Sequence, residues 1–175
     1  DNLYGKNIFF VDVEPFKEML NKINLVKKVN FKKKYPNTII VKIYEEQAIA
    51  ILNKKDTNFV VMLSSKKIPL KGNGTFSNLP FVFGDESEKH LPNFLEILKR
   101  KQFPIDNIKN YYFFQIGRWD IQLKNEQVIK FPYENAEESI EQLIKLLKRK
   151  DFAKYKVIDL RINGKIITEQ WKLRN

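Results

Sequence analysis

One histidine, His90, and no cysteine leave this chain little with which to catalyse. A Ser-His-Asp relay or a Cys-His pair needs a base beside a nucleophile. His90 stands just before a stretch that reads as a helix, where a capping or surface role suits it better. A metal site would have to be built from carboxylates alone. The two acidic groupings are Asp85, Glu86 and Glu88, and then Glu134, Glu137 and Glu138. They fall at a loop and at helix starts, where the macrodipole favours negative charge. Neither an enzyme nor a metal or cofactor site is expected. Asp159 and Arg161 remain, two residues apart on one strand face. They form either a surface ion pair worth about 0–1 kcal/mol or a polar pair shown to a partner, and the chemistry of the second reading is recognition.

The stretch from Tyr155 to Trp171 must position that pair. Ile158, Leu160 and Ile162 alternate with Val157, Asp159 and Arg161, as in a strand with one buried face. Asn163-Gly164 predicts a two-residue type I′ hairpin turn, which needs positive φ at both positions. Lys165 to Trp171 then forms a last strand, followed by Lys172 to Asn175. It is expected to be a sheet edge, with N–H and C=O groups open to strand addition. The candidate partner-binding residues are Arg161, Lys165, Ile166, Ile167, Thr168, Glu169, Gln170 and Trp171. Arg161 can fork onto a carboxylate, and Trp171 can act as an aromatic anchor.

The rest of the chain reads as scaffold. Ile8 to Val11 is a short apolar run, strand or extended. Asp12 can cap a helix that carries Pro15, Phe16, Met19, Leu20 and Ile23. Val29 to Tyr35 and Thr38 to Tyr44 alternate as two strands broken at Pro36-Asn37. Gln47 to Leu52 continues extended. Asn58 to Leu63 and Lys67 to Leu70 read as paired strands. Gly72-Asn73-Gly74 is a loop without the context of a phosphate loop, and Leu79 to Gly84 is a short strand. Helices are expected over Leu91 to Lys101 and Ala136 to Lys150, each ending in Leu-Lys-Arg-Lys, a basic last turn that suits the macrodipole. Three strands lie between them: Tyr111 to Ile116, Arg118 to Leu123, and Gln127 to Phe131. The fold class is therefore α+β, with a small α+β unit ahead of a mostly antiparallel β-sheet domain on which helices pack.

A chain of 175 residues, 43% of them hydrophobic, can bury a real core. No apolar run approaches the roughly 20 residues of a membrane span, and no signal peptide is visible. The chain opens on Asp1 rather than Met, so it is expected to be a piece of a longer protein. The net charge of +11 suggests nucleic acid as a partner. However, nearly all of it is Lys, only Arg100, Arg118, Arg149, Arg161 and Arg174 being Arg, and nucleic-acid surfaces favour the Arg fork. The lysines are spread along every segment, as in a proteome rich in Lys, Ile and Asn. A basic exterior beside an anionic membrane is a third use of this charge.

Four stretches, in order, resemble the extracytoplasmic region of the FtsQ/DivIB bacterial cell-division family. The first is Gly5-Lys-Asn-Ile-Phe-Phe-Val-Asp12. The second runs from Val26-Lys-Lys-Val29 through Tyr35-Pro-Asn-Thr-Ile39 and Val41-Lys-Ile-Tyr-Glu45 to Ala48 and Ala50. The third is Gly117-Arg-Trp-Asp-Ile-Gln-Leu123 with Val128-Ile-Lys-Phe-Pro132, and the fourth is Ile158-Asp-Leu-Arg161. Glu46-Gln47-Ala48 departs from the family's Glu-Arg-x-Pro, and Lys33 stands where Arg is usual.

The resemblance implies a POTRA domain over residues 1–49, truncated by the loss of its first strand and helix, and the family's β domain over residues 50–175. It implies a non-enzymatic scaffold of the divisome. Its last strands would pair with FtsB, itself bound to FtsL, while other division proteins would meet the POTRA domain. It further implies a periplasmic location for this region, with the whole protein held in the inner membrane by one N-terminal helix outside this chain. Two other readings compete. A basic nucleic-acid-binding domain predicts Lys and Arg clustered on one face and affinity that falls steeply with salt. A POTRA module of an outer-membrane assembly or secretion protein predicts tandem repeats, and one is found.

Overall fold

The computed structural model describes residues 6–54, 57–70 and 76–171. The Gly72-Asn73-Gly74 loop and Lys172 to Asn175 lie outside the described residues. Contacts divide the chain into two compact units, Asp1–Gln47 and Ala48–Asn175.

In the first unit, Ile8–Phe10 forms a 3₁₀ turn rather than the expected extended run. Asn7 closes it: its Oδ1 accepts the Phe9 N–H and its main-chain oxygen accepts the Phe10 N–H, both at 3.0 Å. Helix α1 (Glu14–Asn21) holds Pro15 in its first turn, where no N–H is needed. Its N-cap position falls on Val13, which makes no side-chain cap bond, while Asp12 caps from one residue upstream, its carboxylate accepting the Glu14 N–H at 3.0 Å. Strands β1 (Val26–Lys34) and β2 (Thr38–Glu45) pair antiparallel, with Val29 opposite Ile43, Phe31 opposite Val41 and Lys33 opposite Ile39. Ile8, Val11 and Val29 are buried, and the Phe9 ring stacks on Tyr35 at 4.6 Å. The period of two puts Lys28, Asn30, Lys32 and Lys34 on the other face of the ribbon, with Ile40, Lys42 and Tyr44 beside them. All seven are exposed.

The described residues of the second unit form a nine-stranded mixed sheet. Its strands are β3 (Ala48–Lys54), β4 (Thr57–Met62), β5 (Lys67–Pro69), β6 (Phe81–Phe83), β7 (Ile108–Phe114), β8 (Arg118–Leu123), β9 (Val128–Lys130), β10 (Tyr155–Asp159) and β11 (Ile167–Gln170), in the order β11-β10-β9-β8-β7-β6-β3-β4-β5. The sheet is mostly antiparallel, but β3–β6, β6–β7 and β9–β10 are parallel. Parallel neighbours need long crossovers. Helix α2 (Ser87–Arg100) supplies the one between β6 and β7, and helix α3 (Ala136–Leu147) the one between β9 and β10.

Both helices differ from their expected bounds. Helix α2 begins four residues early, at Ser87, because the Ser87 and Lys89 N–H groups already donate to Gly84 and Glu86 oxygens at 3.4 and 2.9 Å. His90 is therefore inside the helix, where its ring stacks on Phe113 at 4.6 Å. Helix α3 stops at Leu147, so Lys148 to Lys150 follow its last turn. Lys101 joins the two helices through Glu141 at 2.6 Å and Glu137 at 3.5 Å, and Arg100 also pairs with Glu137.

Cross-strand register explains the core. Leu52, Val82, Tyr111, Ile121, Ile129 and Ile158 lie side by side, one on each strand from β3 to β10 in sheet order. All are buried beneath Leu91, Phe94, Leu95 and Leu98 of α2 and Ile140, Leu143 and Leu146 of α3. Trp119, Leu123 and Leu160 join this cluster, and Leu147 packs on its margin, as their alternation predicts. Phe94 lies nearly parallel to the Trp119 ring, 5.0 Å between centroids. Each such aliphatic side chain contributes about 1.5–3 kcal/mol when fully buried. The row ends on Thr168 of β11, which is exposed.

Candidate partner-binding edge

Strand β11 ends the sheet, but the expected tight hairpin does not form. Asp159 pairs with Ile167, Ile158 with Thr168, Val157 with Glu169 and Tyr155 with Gln170. Residues 160–166 thus form a loop instead of a two-residue turn. Asn163-Gly164 still sits at a bend, where the Lys165 N–H reaches the Ile162 oxygen at 3.0 Å. Positive φ occurs at Gly164 alone (φ 71), whereas a type I′ turn requires it at both residues. One contact ends the β10–β11 ladder early: the Arg161 N–H, which shares the parity of Asp159 and would face β11, donates to the Asp159 carboxylate at 3.0 Å. The Leu160 N–H meanwhile extends the pairing with β9, donating to Lys130 at 2.9 Å. Leu160 is consequently buried while Ile162 is exposed. Arg161, Lys165, Ile166 and Trp171 lie outside strand geometry, leaving Ile167, Thr168, Glu169 and Gln170 within it. All eight candidates are exposed.

Orientation of the edge follows from its neighbours. The Leu160 N–H points to β9, so that of Asp159 points to β11, where it meets Ile167. At the other end, the Trp171 N–H donates to Lys154 at 3.3 Å. By the period of two, the main-chain groups of Ile167 and Glu169 face β10, and those of Thr168 and Gln170 face away from the sheet.

Arg161 is not a bare cation. Its Nε lies 2.9 and 3.0 Å from the two Asp159 oxygens, and its Nη2 lies 2.6 Å from one of them. The Arg161 fork holds the Asp159 carboxyl below the usual range, and Asp159 raises Arg161 in turn. This pair begins a charged ladder on the sheet face opposite the helices. Asp159 stands beside Lys130, which stands beside Asp120, which stands beside Tyr112. Asp120 is 6% exposed. Arg118 Nε approaches it at 3.4 Å without hydrogen-bond geometry, and burial pushes its carboxyl up. Trp171 keeps 42% of its surface, and Lys156 Nζ lies 6.0 Å from its ring.

Sequence reasoning missed the strut beneath this edge. Gln127 is 1% exposed. Its Nε2 donates to the Phe152 and Tyr155 oxygens at 2.9 and 2.6 Å, and its Oε1 accepts from Asn125 at 2.6 Å. It fastens the β8–β9 turn to the start of β10. The signal was present: Gln127 shares the parity of inward Ile129 and Phe131, and a polar residue there needs buried partners.

The chain is thus an α+β unit with a two-stranded ribbon, followed by a mixed sheet with helices on one face and β11 at one end. A POTRA domain model, FtsQ-type, matches residues 1–46, and a model of the Cell division protein FtsQ/DivIB C-terminal region matches residues 50–161. The chain belongs to the FtsQ/DivIB family of cell-division proteins. It is 28% identical over 171 residues to "Cell division protein FtsQ" of Rickettsia conorii, covering 95% of this chain and 63% of that protein. It is 27% identical over 169 residues to the protein of that name from Rickettsia typhi, covering 94% and 62%. For that of Rhizobium radiobacter the identity is 27% over 141 residues, covering 80% and 67%. The chain thus spans less than two thirds of the two rickettsial proteins. Among the described residues no helix is long and apolar enough to cross a membrane, and no cluster of His, Asp and Glu could hold a metal ion.

Proposed function

We propose that this chain is the extracytoplasmic part of a non-enzymatic division scaffold, and that it recruits FtsB, and through it FtsL, by strand addition to β11. The reading rests on one observation above others: the outward main-chain groups of Thr168 and Gln170 at the end of the sheet. Each hydrogen bond added there contributes about 0.5–1.5 kcal/mol. Specificity would come from side chains around the strand: Ile167 and Trp171 as apolar contacts, Lys165, Ile166 and Glu169 at the flanks, and Arg161. The Asp159 fork uses Arg161 Nε and Nη2, so Nη1 is the donor offered to a partner carboxylate. The first unit, as a POTRA domain, would meet other division proteins. The whole protein would be held in the inner membrane by one helix outside this chain, with this region in the periplasm.

Two variants test the mechanism in titrations of the purified chain with the soluble segment of FtsB. Thr168→Pro removes an outward N–H, and proline is tolerated on edges. Affinity should fall about tenfold or more while the melting temperature stays put. Arg161→Glu should weaken binding and be partly rescued by reversing a charge on FtsB. Parental affinity in both variants would rule out the edge mechanism while leaving the family assignment untouched.

A further inference from the structure

The lysines are less evenly dispersed than the sequence suggests. The β1–β2 ribbon gathers Lys28, Lys32, Lys34 and Lys42 on one exposed face. Lys28 stands opposite Tyr44, Asn30 opposite Lys42, Lys32 opposite Ile40 and Lys34 opposite Thr38. Among the described residues no carboxylate stands at the paired positions of this face, and none of the four lysines has an acidic partner. Glu14, which borders a hollow with Lys32 and Lys42, is paired with Lys17 at 3.1 Å. Several cations of the second unit are instead matched, as in Lys67–Glu88, Lys101–Glu141 and Arg161–Asp159. Like charges on one strand face repel without return to the fold, so this field is available to something outside the chain.

We propose that this ribbon face binds the anionic headgroups of a phospholipid surface. The face is a two-stranded ribbon on which Lys32 and Lys34 stand about 7 Å apart along β1, with Lys42 of β2 opposite Asn30 and Lys28 further along β1, an open array that can meet a layer of phosphates. Its cations are all lysine, and no arginine precedes Arg100. Ammonium groups act as point charges that need no fixed phosphate geometry, whereas nucleic-acid recognition uses the arginine fork. Tyr44 and Ile40 lie among the lysines, with Lys42 Nζ 5.0 Å from the Tyr44 ring. An amphipathic ring beside cations suits the headgroup level of a bilayer. This inference is independent of the edge mechanism.

The test is flotation of the purified chain with vesicles of mixed phosphatidylglycerol and phosphatidylcholine, against phosphatidylcholine alone, at about 0.1 M salt. At about a tenfold effect per 1.4 kcal/mol and about 1 kcal/mol per lysine, changing Lys28, Lys32, Lys34 and Lys42 to Gln should lower partitioning about a thousandfold. The double variant Lys32→Gln/Lys42→Gln should lower it about thirtyfold, and it covers the case in which the quadruple variant loses its melting transition. A control with the same change in net charge, Lys99, Lys124, Lys148 and Lys150 to Gln, should stay within about threefold of the parent. Equal losses in face and control variants would reduce the effect to net charge and overturn the proposal. So would equal binding to both vesicle types. Displacement from the vesicles by duplex DNA, through the same four lysines, would make the face a nucleic-acid surface instead.

Discussion

Replacing Gln127 with Leu keeps the side-chain size and removes the strut. The Tyr155 oxygen loses its donor, which costs about 1–3 kcal/mol, and the Phe152 oxygen loses one of two, since it still accepts the Tyr155 N–H, which costs about 0.5–1.5 kcal/mol. The new apolar side chain returns about 1.5–3 kcal/mol of burial. The remainder is a loss of about 1 kcal/mol. With a urea slope of about 2 kcal/mol/M, the unfolding midpoint should fall by about 0.5 M. Both tryptophans, Trp119 and Trp171, lie in the second unit, so fluorescence follows that unit. A positioning role predicts more than lost stability: amides of Tyr155 to Asp159 should exchange faster than those of β7 and β8, since the start of β10 is what Gln127 holds. A midpoint within about 0.2 M of the parent, or a loss of protection spread evenly over the sheet, would refute the strut.

Other perturbations have outcomes fixed by the same geometry. Leu160→Ala should cost about 2–5 kcal/mol by opening a cavity under α3, and a change under about 1 kcal/mol in urea titration would contradict its burial. Gly84→Ala should cost at least about 2 kcal/mol, seen as a lowered melting temperature. Its φ is +113° and an added Cβ would stand 2.2 Å from the Phe113 oxygen. Asp120 and Asp159 should move stability in opposite senses with pH. Burial raises the Asp120 carboxyl in the fold, so its contribution grows as pH falls from neutral toward the ordinary carboxylate value, and Asp120→Asn should abolish that gain. The Arg161 fork lowers Asp159, so its contribution is present above the ordinary value and lost as pH falls through its folded pKa. Asp159→Asn should therefore destabilise at neutral pH and flatten the acid limb. Urea midpoints between about pH 3 and 7 read both.

The alternation of Trp119, Ile121 and Leu123 and the spacing of Leu143 and Ile140 were enough to place the helices on one sheet face, because burial is periodic. The tight hairpin does not form because the turn signal, Asn163-Gly164, competes with a side-chain contact: the Asp159 carboxylate takes the Arg161 N–H that would extend the β10–β11 ladder toward the turn. Parallel pairing was equally hidden: nothing in Phe81 to Phe83 or Val128 to Lys130 announces which neighbour it will meet. Asp159 and Arg161 were legible as a pair, yet whether the fork is turned inward or offered outward depends on the loop that holds it. The lysine face escaped notice because counting along the chain averages two strand faces that the fold separates.

Strand β11 contributes hydrogen bonds to the sheet but no buried side chain; the core row stops at Ile158, one strand short of the rim. Folding therefore does not draw on the side chains of the rim. Substitutions from Ile167 to Gln170 leave the helix-packed core as it was, so under the proposed edge mechanism the rim could be rewritten to follow a changing partner. A lineage could then exchange the sequence there by single steps, none of which passes through an unfolded intermediate protein.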